Sequence, residues 1–313
     1  MSSGYYRDVP KKYDGDKRRP NKRKKKKFNL RGLITIVCIV AIIAILITAA
    51  VKMFGGKTAT TAQQTPQKKE RVYNIPPASE ENDLVKIATE AKGTEGKKIC
   101  YLTFDDGPTK EVTPKVLDVL KKYNVKATFF CMGKMLDANS DIAMREFNEG
   151  HLIANHSYNH DYNALYATSE SFMSEIKQAE NKIRELTGEE PFKLMRFPGG
   201  SYNAGDHAAE KQVYKKVLKE NGYYYADWNC LNGDAEVALR STDELINKVK
   251  ATATQKNIVV LMHDAAAKKT TPDALGTIIE YLKGQGYEFR RLDEIDYYDN
   301  GTSSKSDTNS MVL

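Results

Sequence analysis

Cysteine is scarce in this 313-residue chain, with four in all, too few to staple a scaffold of this size. A disulfide-built fold is therefore excluded. Basic charge looks like an excess, net +7, yet most of the chain lacks it. Residues 1–31 hold thirteen Lys/Arg and three Asp, net +10, which leaves residues 32–313 at −3. That distribution excludes a nucleic-acid-binding main domain. Nothing repeats at the period of a solenoid. What is present is a chain 41% hydrophobic and 28% charged, able to bury a substantial core and neither fibrous nor wholly disordered. Its length allows one large domain with extras or two domains.

Charge is also missing from Gly32–Val51, a run of twenty residues (GLITIVCIVAIIAILITAAV). At the rise of an α-helix it spans about 30 Å, the thickness of a bilayer core. Lys22–Lys27 and Arg31 precede it, while only Lys52 and Lys57 follow closely. The positive-inside rule then predicts one transmembrane helix, a cytoplasmic N-terminus and an extracellular C-terminal bulk at the cell membrane. A cleaved signal peptide shares the asymmetry, but its apolar region is usually about 7–15 residues long and ends in a small-x-small site, which this stretch lacks. The basic tail reads as a topology determinant. Contact with anionic lipid headgroups is the sharper alternative.

The rest divides by composition. After the basic cytoplasmic tail (1–31) and the anchor (32–51) come a stalk and short helical lead-in (52–97), then a main domain (98–296). A Ser/Asn/Asp-rich tail (297–313) is expected to be disordered. In the lead-in, Ser79–Ala91 reads as a helix capped by Ser79 with Leu84, Ile87 and Ala91 on one face. The main domain alternates strand-like and amphipathic runs. Strands are predicted at Ile99–Asp105, Ala127–Cys131, His151–Asn155, Leu194–Phe197, Tyr223–Asp227, Ile258–Met262 and Glu288–Arg290. Helices are predicted at Thr113–Tyr123, Ser169–Leu186, Ala209–Asn221, Thr242–Thr254 and Pro272–Gln285, with Gly188, Gly222 and Gly286 just past helix ends. Seven strands separated by helices need crossovers, hence a mainly parallel α/β sheet. A barrel and an open doubly wound sheet both satisfy that pattern.

Five polar clusters close predicted strands. Thr103-Phe104-Asp105-Asp106-Gly107 sets two carboxylates side by side, which in a partly buried site need a cation or an arginine. His156-Ser157-Tyr158-Asn159-His160 puts two imidazoles at i and i+4, on one face if the segment is helical. With one carboxylate they make a donor set for a catalytic divalent metal such as zinc, with positions left for water. Arg196-Phe197-Pro198-Gly199-Gly200 offers a carboxylate-clamping guanidinium and glycines that admit a close backbone N–H. Asp227-Trp228 holds the only tryptophan, and Leu261-Met262-His263-Asp264 ends in a candidate acid or base. Each cluster alone reads as an ordinary turn or a solvated face. Together they fall where α/β barrels and open sheets place their active sites.

In this order and at these spacings, TFDDG, HSYNH, RFPGG, DW and LMH resemble the five motifs of the polysaccharide deacetylases, the family-four carbohydrate esterases. The resemblance covers about residues 98–292. It implies a distorted, incomplete (β/α) barrel with about seven parallel strands. It also implies a metal, zinc first and cobalt or another divalent ion as alternatives, on Asp106, His156 and His160. By the same resemblance Asp105 is the general base, His263 the general acid, Arg196 orients the base and Asp227 tunes the acid. Gly199 supplies an oxyanion donor, while Trp228 and Leu261 wall the acetyl pocket. Many relatives carry an aromatic after the third motif's proline, where this chain has Gly199-Gly200. That departure leaves the sugar-facing wall unassigned.

The reading that follows is a hydrolase removing N-acetyl groups from cell-wall polysaccharide, N-acetylglucosamine in peptidoglycan first. N-acetylmuramic acid, poly-N-acetylglucosamine, chitin oligomers and acetyl xylan are the alternatives, and a non-catalytic wall-binding protein is the reading from another class. The expected partners are the wall glycan and, through the anchor, membrane lipid. No nucleic acid and no protein partner is expected. Of the three cysteines beyond the anchor, Cys100, Cys131 and Cys230, the first two lie in or beside apolar strands and read as buried free thiols. His151 and His207 lie outside the motifs.

Overall fold

The computed structural model describes residues 71–94, 96–202 and 208–299. The expected anchor at 32–51 and the end of the chain from 300 lie outside them. No helix among the described residues is long and apolar enough to cross a membrane.

The longest apolar runs become the centre of a sheet. β1 (Lys98–Asp105) and β7 (Asn257–His263) are buried along almost their whole length, as strands covered on both faces must be. They pair in parallel from Ile99↔Asn257 to Asp105↔His263. β2 (Thr128–Cys131), β3 (Leu152–Asn155), β4 (Leu194–Met195) and β5 (Tyr224–Tyr225) follow on one side of β1. β6 (Cys230–Leu231) lies beyond β7. The resulting order is β5-β4-β3-β2-β1-β7-β6. All these pairings are parallel. A short β8 (Tyr287–Phe289) pairs the start of β1, below the stretch that pairs β2. Among the described residues β5 and β6 do not close on one another. The architecture is the expected incomplete barrel, a curled half-barrel of seven parallel strands with β8 added.

Strand alternation sorts the side chains between two cores. Cys100, Leu102 and Phe104 of β1 and Ile258, Val260 and Met262 of β7 point outward. They meet Val116, Leu117 and Leu120 of the helix Thr113–Tyr123 and Leu275, Ile278 and Leu282 of the helix Thr271–Gly284. Ile99, Tyr101 and Val259 point the other way, into the barrel, where Leu84 and Ile87 of the helix Leu84–Glu90 close one end. Side chains two residues apart share a face. The interior row of β1 therefore runs Ile99, Tyr101, Thr103, Asp105, apolar where the strand begins and polar where it ends.

Several elements differ from the predictions. The lead-in helix is capped by Asp83, whose carboxylate accepts the N–H groups of Val85 and Lys86, and not by Ser79. From Tyr73 onward the segment before β1 packs on the sheet. Tyr73 lies against Phe192 with ring centroids 4.6 Å apart, and Tyr224 Oη donates to the Pro76 carbonyl at 2.7 Å. The two-residue β6 and the helices Gly133–Ala138, Ser140–Asn148 and Tyr162–Leu165 were not foreseen. The long helix Ser169–Thr187 begins in a Thr168 capping box and ends at Gly188. The three described cysteines are free and buried. Cys100 and Cys230 lie on the two strands that flank β7, opposite Ile258 and Val260, and are not bonded to each other.

The outer core sets stability. Leu102→Ala is expected to cost about 2–5 kcal/mol, seen as a lower urea midpoint at unchanged slope. Val72→Ala, at a side chain 72% exposed, is expected to move stability by no more than about 0.5 kcal/mol.

Candidate active site

The ends of the strands deliver the polar groups. β1 finishes in Asp105, and Asp106 turns out of the strand at φ 76°, a conformation that carries strain in a non-glycine residue and concentrates at functional sites. The next residue has to be glycine, because a Cβ on Gly107 would stand 2.0 Å from Asp264 Oδ2.

After β3, the segment His156–His160 is a loop and not a helix, with Ser157 and His160 at φ 63° and 58°. Glu175 of the helix Ser169–Thr187 holds it. One carboxylate oxygen accepts the N–H groups of Tyr158 (3.0 Å) and Asn159 (2.7 Å), and the other accepts the Asn159 amide at 2.9 Å. Asn155 Oδ1 accepts the Ser157 N–H, and Ser157 Oγ accepts the His160 N–H. The two imidazoles converge through this turn rather than through helical spacing.

They converge on Asp106. His156 Nε2 and His160 Nε2 each stand 3.4 Å from Asp106 Oδ1. One donor atom from each of the three residues lies within 4.8 Å of the others. His156 Nδ1 faces the Arg196 carbonyl at 2.9 Å, so its proton sits there and the Nε2 lone pair is left toward Asp106. Asp106 Oδ1 is buried and has no hydrogen-bond partner among the described residues. Burial opposes its ionisation, but His156, His263 and His160 hold the carboxyl well below the usual range. Burial, followed by the neighbouring His156, pushes His160 down to about 4. An ionised carboxylate and a neutral imidazole are what a divalent cation requires of its ligands. The three residues fit such an ion.

Asp105 and His263 are register partners on β1 and β7, so both project from the same face of neighbouring strands. Arg196, wholly buried at the end of β4, clamps Asp105. Its Nη1 donates to Asp105 Oδ1 and to Thr103 Oγ1, each at 2.7 Å. Its Nε and Nη2 donate to the carbonyls of Ala226 and Asp227 at 2.8 and 3.0 Å.

The role expected for Asp227 belongs elsewhere. The Asp227 carboxylate accepts the backbone N–H of Ser201 at 2.8 Å and the Ser201 hydroxyl. It therefore fixes the loop after Arg196 and makes no hydrogen bond to His263. The partner of His263 is Asp234, which the sequence reading missed. Asp234 Oδ1 accepts His263 Nδ1–H at 2.8 Å, and Oδ2 accepts the His263 backbone N–H and the Thr271 hydroxyl. Against the burial penalty, this hydrogen bond and charge push His263 up to about 9. The signal lay in Asn232-Gly233-Asp234, a turn directly after a strand too short to stand out.

A cavity of about 220 Å³ opens over these groups. Asp105, Asp106, His156, His160 and His263 line it, with Gly199, Trp228 and Leu261 as expected. Tyr162, Phe197, Gly200 and Ala235 line it as well.

A family model for polysaccharide deacetylase matches residues 92–223. A peptidoglycan-N-acetylglucosamine deacetylase of Bacillus cereus is 34% identical over 202 residues, which is 64% of this chain and 90% of that protein. The chain belongs to the polysaccharide deacetylase family. The catalytic domain of a Eubacterium rectale peptidoglycan N-acetylglucosamine deacetylase superposes on this chain with a TM-score of 0.58. The two are 36% identical, over 66% of this chain and 93% of that domain. A peptidoglycan-N-acetylglucosamine deacetylase of Listeria monocytogenes is 37% identical over 67% of this chain, yet the match spans only 41% of that longer protein.

A general acid at His263 would have to be protonated, so activity is expected to fall as pH rises through its pKa. Asp234→Asn removes the charge that raises that pKa, and the alkaline limb of the pH–rate profile is expected to move to lower pH. Asp227→Asn is expected to leave the position of that limb unchanged. Both profiles are read from acetate release between pH 5 and pH 11, a range that spans the ordinary histidine pKa of about 6.5 on one side.

Proposed function

We propose that this polysaccharide deacetylase is a metal-dependent N-deacetylase of cell-wall glycan, acting on N-acetylglucosamine in peptidoglycan. One observation carries the reading. A two-histidine, one-aspartate donor set opens on a cavity that also holds a clamped carboxylate and an imidazole held in its charged form.

Asp106, His156 and His160 would hold the metal. Zinc suits a donor set of two imidazoles and one carboxylate, and cobalt is the natural substitute. When bound, the ion supplies Lewis-acid polarisation of the acetamide carbonyl and lowers the pKa of water. The chain's own groups do the rest. Asp105, fixed by Arg196, takes a proton from the attacking water as the new C–O bond forms. Gly199, at the cavity wall, is assigned to the developing oxyanion through its backbone, a contribution of about 2.7–4 kcal/mol per donor in other hydrolases. His263 gives its proton to the nitrogen as the C–N bond breaks, so that an amine rather than an amide anion departs. Acetate and a free glucosamine amine are the products.

Trp228 and Leu261 bound the space that takes the acetyl methyl. The charge-free run Gly32–Val51, flanked by basic residues on its N-terminal side, supports an enzyme tethered on the outer face of the cell membrane, where wall glycan is the polymer within reach. Among relatives, one of Bacillus subtilis is named a peptidoglycan-N-acetylmuramic acid deacetylase, at 28% identity, so the neighbouring sugar is the outcome to test against.

Acetate release is measured on wall fragments, chitin oligomers and acetylated xylan in parallel. The wall fragments are expected to be turned over best, with the new amine on glucosamine. Asp105→Asn and His263→Ala should each lower kcat by about 10²–10⁴. Chelation should silence the wild type, with zinc or cobalt restoring it. Activity that survives full chelation overturns the metal role, and a new amine on muramic acid alone overturns the substrate.

A further inference from the structure

Tyr162 stands where two concavities meet. It lines the catalytic cavity, and it also lines a wide neighbouring groove of about 630 Å³ formed with Lys134, Asn159 and Asn163. Among the described residues the only other one common to both is His160. The tyrosine ring stands edge-on to His160, centroids 5.4 Å apart and planes at 85°. Its residue is 38% exposed, at the mouth rather than in the core.

The position of this ring is tied to the absence of a side chain at 199. A Cβ placed on Gly199 would come within 2.9 Å of Tyr162 Oη, closer than real Cβ contacts allow, and 3.0 Å of Cε1, so the ring would have to swing from its present place. Gly199 also sits at φ 75°, where a larger residue is strained. With the tyrosine ring where it stands, position 199 has no room for a side chain over this side of the cavity. The chain gives that room to Tyr162, the first residue of the short helix Tyr162–Leu165, whose N-cap Asp161 accepts the N–H groups of Asn163 and Ala164.

We propose that Tyr162 is the aromatic platform on which the sugar ring bearing the scissile acetamide packs, and that glycine at 199 is the vacancy that admits it. The inference rests on the deacetylase reading and names its specificity residue. A pyranose presents an apolar C–H face and a polar rim, and a flat ring beside the reacting groups holds the first while leaving the second to solvent. Because Tyr162 borders the open groove as well, the next sugar of the chain leaves over Asn159 and Asn163. Tyr162 thereby orients a polymer and not only a monosaccharide. Its contribution is to binding, through the ring, and not to proton transfer through the hydroxyl.

The test compares the full-length metal-loaded enzyme with Tyr162→Phe, Tyr162→Leu and Tyr162→Ala on the N-acetylglucosamine tetramer. KM and kcat come from acetate release, and binding is followed independently by the fluorescence of Trp228, the only tryptophan in the chain. Tyr162→Phe is expected to stay within about twofold of the wild type in both constants. Tyr162→Leu, which keeps bulk against His160 and Gly199 without a flat face, and Tyr162→Ala are each expected to raise KM about tenfold, the worth of one aromatic contact. Their kcat should stay within about threefold and their melting temperatures near the wild type's. An unchanged KM in both the Leu and Ala variants overturns the platform. So does a collapse of kcat in Tyr162→Phe, which would make the hydroxyl a catalytic group. A wild type that releases no acetate from any glycan refutes the underlying deacetylase reading instead, and the two failures are thereby told apart.

Discussion

The site depends on one buried cation. Arg196 has no solvent exposure, and its guanidinium lies 4.1 Å from the centre of the Phe130 ring. It donates to Thr103 and Asp105 of β1 and to carbonyls following β5, while its own carbonyl orients His156 after β3. One residue thus fixes Asp105, His156 and the relative placement of three strand ends. A guanidinium does not titrate in a protein, so burying it demands a compensating anion. Asp105 is that anion, and removing either partner would leave the other buried and uncompensated, a loss of about 3–5 kcal/mol in comparable pairs. The charge that makes Asp105 useful in catalysis is therefore also a condition of folding at this end of the barrel.

Parallel register does the remaining assembly. In a parallel ladder, residues opposite one another on adjacent strands project to the same side. Asp105 opposite His263 is such a pair, and it places the carboxylate and the imidazole together with no loop in between. The apolar lower rows, Tyr101 with Val259 and Ile99 with the lead-in helix, fill the barrel beneath them. Catalytic geometry is inherited from a core that would exist without it.

Legibility in the sequence followed the same division. β1 and β7 announced themselves because they are long, apolar and bounded by turn residues, and the groups at their ends were found with them. The metal set was legible from TFDDG and HSYNH, although the mechanism of convergence was not. Spacing suggested a helix, whereas Glu175, fifteen residues past His160, folds the segment into a turn. No local pattern shows a carboxylate from another element. Asp234 was hidden for a different reason. β6 has two residues, too few for any alternation to appear, so the acid at its end had no strand to mark it. Asp227, beside the only tryptophan, took its place on the strength of the resemblance. The contacts show that its carboxylate serves Ser201.

The cavity shows how one pocket keeps neighbouring groups in different protonation states. Asp106 remains an anion because imidazoles outweigh its burial. His160, a few ångströms away, is kept neutral by burial, which there outweighs the pull of Asp106. His263 is held in its charged form by Asp234, placed on the side away from the metal set and anchored by Thr271. The difference between the two histidines is one of partner geometry. His160 meets Asp106 at 3.4 Å with Ser157 on its backbone, whereas the His263 ring and backbone nitrogens both bond to one carboxylate at normal hydrogen-bond length. Environments that push neighbouring pKa values apart are how an acid and a ligand are told from each other in a single site. That contrast supports the roles proposed for the two residues, proton donation for His263 and metal ligation for His160.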